Sequence, residues 1–343
     1  MTSTKCNPVL VDVYRGDRVE SIHRGAVAIA DADGNLAFAL GDVARPVYAR
    51  SAVKPLQAIP LVESGSADAF GLEPEELAVA CASHSGDRVH LEAVRDMLDK
   101  AGLDESALAC GAHWPISERT TRELLWERRQ PRAIHNNCSG KHAGMLVAAV
   151  RLGLDTRGYE TPDHPLQIEI ARILSETCGV VLGPDCMGVD GCSLPTFALP
   201  LSALAQGFAR FGTRRLPPSR AEAAARLMQA CFAAPVLLAG DGRLDTIIAR
   251  DLAPSVLTKG GAEGVHCAAL PELGLGVALK IDDGAKRGAE RVLSEVLARL
   301  LPRAGDVLAD QLRGEVQNWR GRVVGRVAAS GDLQQALKQM AGA

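Results

Sequence analysis

No stretch of the 343-residue chain approaches the roughly 18 uninterrupted apolar residues of a membrane span. The opening segment MTSTKCNPVLVDVYRGD likewise lacks the apolar core of a secretory signal. A soluble, cytoplasmic protein with no membrane partner is expected. Long blocks of one charge are missing too. The 38 basic and 41 acidic residues give a formal net charge of −3 spread along the chain. Neither the footprint of a nucleic-acid binder nor a basic membrane patch is evident, which leaves small molecules as the expected partners. Nine cysteines are scattered singly, without the dense spacing of a secreted disulfide scaffold and without any C-x-x-C pair. Reduced thiols fit this usage. Internal repeats and low-complexity linkers are also absent, while 47% hydrophobic residues is ample for a packed core.

What is present divides the chain by period. From Pro8 to Gly41 the runs PVLVDVY, GAVAIA and LAFAL flank the turn signal DADGN, a strand and hairpin pattern. From Ala52 to about Arg250 the pattern turns helical, in LEAVRDMLDKAG, LQIEIARILSETCG and RAEAAARLMQACF, separated by Gly, Pro and Asn turns. SVLTKGGAEGVHCAALPELGLGVALKI then reads as two or three short strands, and AERVLSEVLARLLP as an amphipathic helix. The expected class is α+β, with an antiparallel sheet built from both chain ends, packed with helices, and a mostly helical middle lobe. Residues 1–343 read as a single domain. Its sheet lobe is at about 1–50 with 251–343, its helical lobe at 51–250, and a cleft lies between them.

The segment ARSAVKPLQAIPLVESG places Ser51 and Lys54 three apart at the start of an apolar helix, where both lie on one face. A serine hydroxyl is a poor nucleophile until a base takes its proton, and a lysine serves as that base once burial or a second cation lowers its pKa. The plain alternative is a serine N-cap with a lysine reaching to solvent. Two later pieces favour catalysis. CASHSGD supplies Ser83 and Ser85 in a small-residue turn, and LTKGGAEG supplies Lys259, Gly260 and Gly261 on a late strand. This is the order S-x-x-K, serine loop, K-T-G of serine β-lactamases and penicillin-binding proteins. The glycines suggest a strand edge that a substrate approaches closely, with backbone N–H groups polarising its carbonyl. Acyl transfer is the chemistry implied.

HNNCSGKHAGML brings Cys138, Lys141 and His142 into one helix-opening segment, and GVDGCSLPTFALP adds Asp190 and Cys192. Spacing alone leaves buried structural cysteines as the stronger reading against zinc. Together, RSAVKPLQ, CASHSGD, NNCSGKHAGML, DHPLQ, GVDGCSLPTFALPL, KGGAEG and KIDDGAKR resemble the L-asparaginase II family, from about Pro8 to Leu300. The resemblance implies a serine β-lactamase-like fold and hydrolysis of L-asparagine to L-aspartate and ammonia. It implies two Ser-Lys tandems, Ser51 with Lys54 and Ser83 with Lys259, with Ser51 as nucleophile. It also implies zinc on Cys138, Lys141 and Cys192, with His142 and Asp190 beside it and an arginine, Arg50, next to the nucleophile. Arg50 suits a substrate carboxylate and Asp190 a substrate amine. A homodimer is expected. The competing readings are a glutaminase, a β-lactam-reacting protein, and a non-enzymatic zinc-thiolate sensor.

Overall fold

Pairing between the two ends of the chain creates the main sheet. The structure, a computed structural model, describes residues 6–340. Val9–Arg15 (β1), Arg18–Asp31 (β2) and Leu36–Leu40 (β3) open the chain. Pro46–Tyr48 (β4), Met187–Val189 (β5) and Pro195–Pro200 (β6) follow. Leu257–Gly260 (β7), Val265–Leu270 (β8), Leu275–Ile281 (β9), Glu315–Gln317 (β10) and Val323–Ala329 (β11) complete the set. The main sheet runs β10-β11-β1-β2-β9-β8-β7 with β3 against β2, and its pairings are antiparallel. Val11 opposite Ala329 joins the two ends.

The central strand β2 is buried on both faces, which is why GAVAIA is apolar at every position rather than at alternate ones. Ala26, Ala28 and Ala30 join the core of the helical lobe, while Val27 and Ile29 join a second core with Val292, Val296 and Leu333. That second core is closed by the helices Lys286–Leu300 and Gly331–Gln339. Small residues on the first face admit the helix Leu201–Thr213 at very short range. A Cβ on Gly276 of β9 would lie 2.0 Å from the Ala205 carbonyl, so any side chain there would push the helix off the sheet.

The class expected from the sequence, α+β, is observed. The middle of the chain also carries strand: β4, β6 and β5 form a separate three-stranded sheet. Its pieces are too short, and too interrupted by Pro and Gly, to produce a periodic signal. Ser51 sits in a 3-10 turn, Arg50–Val53, that leads into the short helix Lys54–Gln57. The turn packs on β7 and β8. A Cβ on Gly261, just past β7, would meet Ala49 O at 3.0 Å and Ala52 N at 3.1 Å. The glycine after Lys259-Gly260 therefore serves the approach of the serine turn to the end of β7.

Candidate active site

Two buried lysines from opposite sides of the cleft converge on one hydroxyl. Lys54 and Lys259 are among the largest fully buried side chains. Lys54 Nζ donates to Ala82 O at 2.5 Å, Ser83 Oγ at 3.1 Å and Asn137 O at 3.3 Å. Those three acceptors match the three donors of an ammonium. Lys259 Nζ reaches Ser83 Oγ at 2.9 Å and Gly260 O at 2.6 Å. With one N–H on Gly260 O, a neutral Lys259 has its lone pair available for the Ser83 proton. The Ser83 backbone is pinned on both sides: its N–H donates to Leu238 O at 3.2 Å, and Arg243 Nη1 donates to its carbonyl at 2.7 Å.

Burial acts on both lysines. Burial lowers Lys54, with Cys138 opposing and Lys141 adding to the shift. Burial lowers Lys259 to about 7, opposed by Asp245 and assisted by the positive charges of Lys54 and Arg243. Lys259 is thus poised to exchange a proton near neutral pH. Asp245 itself is buried. Its carboxylate accepts from Thr258 Oγ1 at 2.8 Å, His266 Nε2 at 2.7 Å and Gly260 N at 3.0 Å. Burial raises Asp245, but His266 and these donors outweigh it and hold the carboxyl well below the usual range. Next to Ser83, His84 is kept neutral by burial, its Nδ1 accepting from Gly86 N at 3.1 Å and its Nε2 donating to Ser139 Oγ at 2.9 Å.

A cavity of about 230 Å³ opens over this centre, lined by Ser51, Ser83, Asn137, Arg243, Asp245, Gly260 and Gly261 among others. Ser51 is therefore in the same cavity as Ser83, but the expected contact from Lys54 to its hydroxyl is not made. Among the described residues Ser51 Oγ has no hydrogen-bond partner, and Lys54 turns to Ser83 instead. The reason lies in the backbone: Arg50 adopts a left-handed φ of 50° and the turn is 3-10 rather than α. The expected carbonyl-polarising role of the strand glycines also fails. Gly260 N–H is engaged by Asp245 and Gly261 N–H by Val265 O at 2.8 Å.

Arg50 and Asp190, expected to hold opposite ends of a substrate, hold each other. Arg50 Nε and Nη2 donate to Asp190 Oδ1 at 3.2 and 2.8 Å. His142 lies outside the cavity wall, fully buried, with Nδ1 at 2.6 Å from the Tyr159 hydroxyl and Nε2 unpartnered. Cys138, Lys141 and Cys192 do meet. The two buried thiols interact electrostatically, and Lys141 Nζ donates to Cys192 Sγ at 3.3 Å. The neighbouring Cys192 thiol holds the Cys138 thiol well below its ordinary value, against burial and with help from Lys54 and Lys141. Burial pulls Lys141 down, but Cys138, Cys192 and Asp190 outweigh it and keep its ammonium. A pair of thiols sharing negative charge around one cation is a donor set that suits a zinc ion. Lys54, bonded to Ser83 and to the carbonyl of Asn137, the residue before Cys138, links this cluster to the serine.

Sequence reasoning missed Arg243 and Asp245, which sit together in GDGRLDTIIA. No sequence signal marked them: the helix Leu244–Asp251 also carries Thr246, Arg250 and Asp251, and an acid in the first turn of a helix is ordinary.

An α+β cleft that holds one serine hydroxyl between two lysines defines a serine-type hydrolase or acyltransferase. The chain belongs to the L-asparaginase II family, whose family model matches residues 11–329. Comparison with curated proteins gives no match. Solved structures with some similarity include a beta-lactamase from Mycobacterium bovis, 16% identical over 84% of this chain and 94% of that one, with a TM-score of 0.41. Unliganded simvastatin synthase from Aspergillus terreus is 14% identical over 84% of this chain and 94% of that one, with a TM-score of 0.40. Scores this low carry no weight for activity. Among the described residues, no helix is long and apolar enough to cross a membrane.

Proposed function

We propose that the protein is an L-asparaginase, hydrolysing L-asparagine to L-aspartate and ammonia through a serine acyl-enzyme. The observation that carries this reading is the convergence of Lys54 and Lys259 on Ser83 Oγ, at 3.1 and 2.9 Å, in a member of the L-asparaginase II family. The geometry favours Ser83 over Ser51 as the attacking group. Neutral Lys259 takes the Ser83 proton as Oγ bonds to the side-chain amide carbon. The C–N bond then breaks, Lys259 returns the proton to the departing ammonia, and an aspartyl ester remains on Ser83. Water attacks that ester with Lys259 again as base, releasing L-aspartate and restoring the serine. Lys54, satisfied as an ammonium, orients the hydroxyl and offsets the negative charge that builds up at the reacting centre.

Cys138, Lys141 and Cys192 would hold a zinc ion. When bound, it would be a weak Lewis acid, its charge balanced by two thiolate donors, and would favour substrate binding more than the chemistry. Lys141 would have to give up its proton to serve as a ligand. The Ser-Lys chemistry needs no metal-bound hydroxide.

Ammonia release from Asn, Gln and β-aspartyl peptides, beside labelling with a fluorescent penicillin, tests this reading. Turnover of Asn well above Gln is expected. Preferred turnover of Gln, or penicillin labelling without amide turnover, supports the other acyl-transfer readings. A folded, zinc-containing, inert protein supports the sensor.

A further inference from the structure

An amino-acid amide carries an α-carboxylate that its pocket must pair, because a buried anion without a partner is expensive. Arg50 suits that task by sequence, but its guanidinium faces Asp190 with two donors, at 3.2 and 2.8 Å. Lys54 and Lys259 are committed to Ser83 and to backbone carbonyls. Lys286, at the outer wall of the cavity, is paired with Glu290 at 3.2 Å and is mostly exposed. That leaves Arg243. It lines the cavity, takes part in no ion pair among the described residues, and is half-buried. Its Nη1 is spent on two backbone carbonyls, Ser83 O at 2.7 Å and Ala239 O at 3.3 Å. These bonds fix the head of the side chain beside the residue that carries the reacting hydroxyl, while its other nitrogens make no bond to the protein.

The loop leading to Arg243 is built to hold this position. Gly240 adopts φ +125°, and a Cβ there would lie 2.2 Å from Ser85 Oγ, so the chain passes flush against the serine turn. Gly242 adopts φ +69°, and Thr246 Oγ1 closes the loop onto Gly240 O at 2.6 Å. Arg243 is the residue immediately before the helix Leu244–Asp251, whose Asp245 braces the end of the Lys259 strand. One short segment thus reaches both the serine, through Arg243, and the base, through Asp245.

From this arrangement we infer that Arg243 is the specificity-determining anchor for the α-carboxylate of the substrate, and that Arg50 with Asp190 forms a structural pair at the margin of the site. The inference rests on the asparaginase reading for the identity of the substrate, but its binding test does not depend on turnover. A planar guanidinium pre-set by two carbonyls offers its remaining N–H groups to a carboxylate at little entropic cost. Held there, the α-carboxylate is separated from the side-chain amide carbon by only two carbons, Cα and Cβ, which confines productive substrates to short amides.

Two measurements on Arg243→Gln and Arg243→Lys test it, after circular dichroism has established that each variant is folded. Calorimetric binding compares L-aspartate with β-alanine, which keeps the amine and the β-carboxylate but lacks the α-carboxylate. Arg243→Gln should weaken L-aspartate about 100-fold while moving β-alanine less than about threefold, and Arg243→Lys should fall between. In turnover, L-asparagine and 3-aminopropanamide, which has no α-carboxylate, should lose a common factor in kcat because Arg243 also pins the Ser83 carbonyl, and only L-asparagine should in addition show KM raised about 100-fold. Equal losses of affinity or of kcat/KM for both members of either pair, or undiminished L-aspartate binding in Arg243→Gln, would overturn the inference. Selective loss of L-aspartate binding in a protein inert toward L-asparagine would instead uphold the anchor and refute the asparaginase reading. A wild-type protein that binds no L-aspartate at all would refute both.

Discussion

Replacing Lys259 by Met removes the base and its buried charge together, and the two effects have opposite signs. In the parent, Lys259 ionises at about 7 because burial outweighs its attraction to Asp245. The neutral fraction is then about one-tenth at pH 6 and about nine-tenths at pH 8, so kcat/KM should climb about tenfold over that interval and level off above it. Lys259→Met should lose about 10²- to 10⁴-fold in kcat at pH 8, the usual range for a general base, and should lose the rising limb with it. Stability should move the other way. A lysine with a folded pKa below its unfolded one is penalised in full below the folded value, and the penalty disappears above the unfolded value. From 10.5 down to about 7, the penalty is at most on the order of 5 kcal/mol. Lys259→Met should therefore resist urea better than the parent at pH 6, by a margin that shrinks steadily as pH approaches 10. Stopped-time ammonia assays across pH 5.5–9, paired with urea melts at the same pH values, read both quantities. A parent profile flat between pH 6 and 8, or a variant that keeps the limb, would refute the assignment of Lys259 as base. A variant destabilised at pH 6 would refute the burial argument.

Rapid-quench mass spectrometry with peptide mapping should find the aspartyl ester on Ser83, and Ser83→Ala should lose at least about 10³-fold in turnover without further loss on adding Lys259→Met. An ester on Ser51 would return the nucleophile to that residue. Gly261→Ala should cost about 1–3 kcal/mol by crowding Ala49 O and Ala52 N, at 3.0 and 3.1 Å from the new methyl. It should also lower kcat by about 100-fold as the end of β7 shifts relative to Ser83, and unchanged kinetics would show that the close approach is dispensable. Elemental analysis of protein purified without a histidine tag should give about one zinc per chain, lost in Cys138→Ala, with KM raised and kcat retained. A metal-free native protein would remove the zinc proposal, and a kcat at background in a folded, metal-free variant would place the metal in the chemistry.

Much of the architecture was legible in one dimension, because face and period are local properties. The apolar runs PVLVDVY, GAVAIA and LAFAL around the turn signal DADGN marked β1, β2 and β3, although the burial of β2 on both faces emerged only in the fold. The ordered pieces around Ser51, Ser83 and Lys259 pointed to acyl transfer, and the motifs around them to the family that matches residues 11–329. What the sequence did not contain was the direction of each side chain across the cleft. Three residues separate Ser51 from Lys54, which suggests a pair, yet the 3-10 turn and the left-handed Arg50 send Lys54 to Ser83. Ser83 and Lys259 meet over a separation of 176 residues, a contact decided by how the helical lobe closes on the sheet. The same closure spends the Gly260 and Gly261 N–H groups, pairs Arg50 with Asp190, and leaves Arg243 open in the cavity. Local spacing tells which groups share a face; only packing brings two faces from distant segments together and so decides which charges neutralise each other and which remain for a substrate.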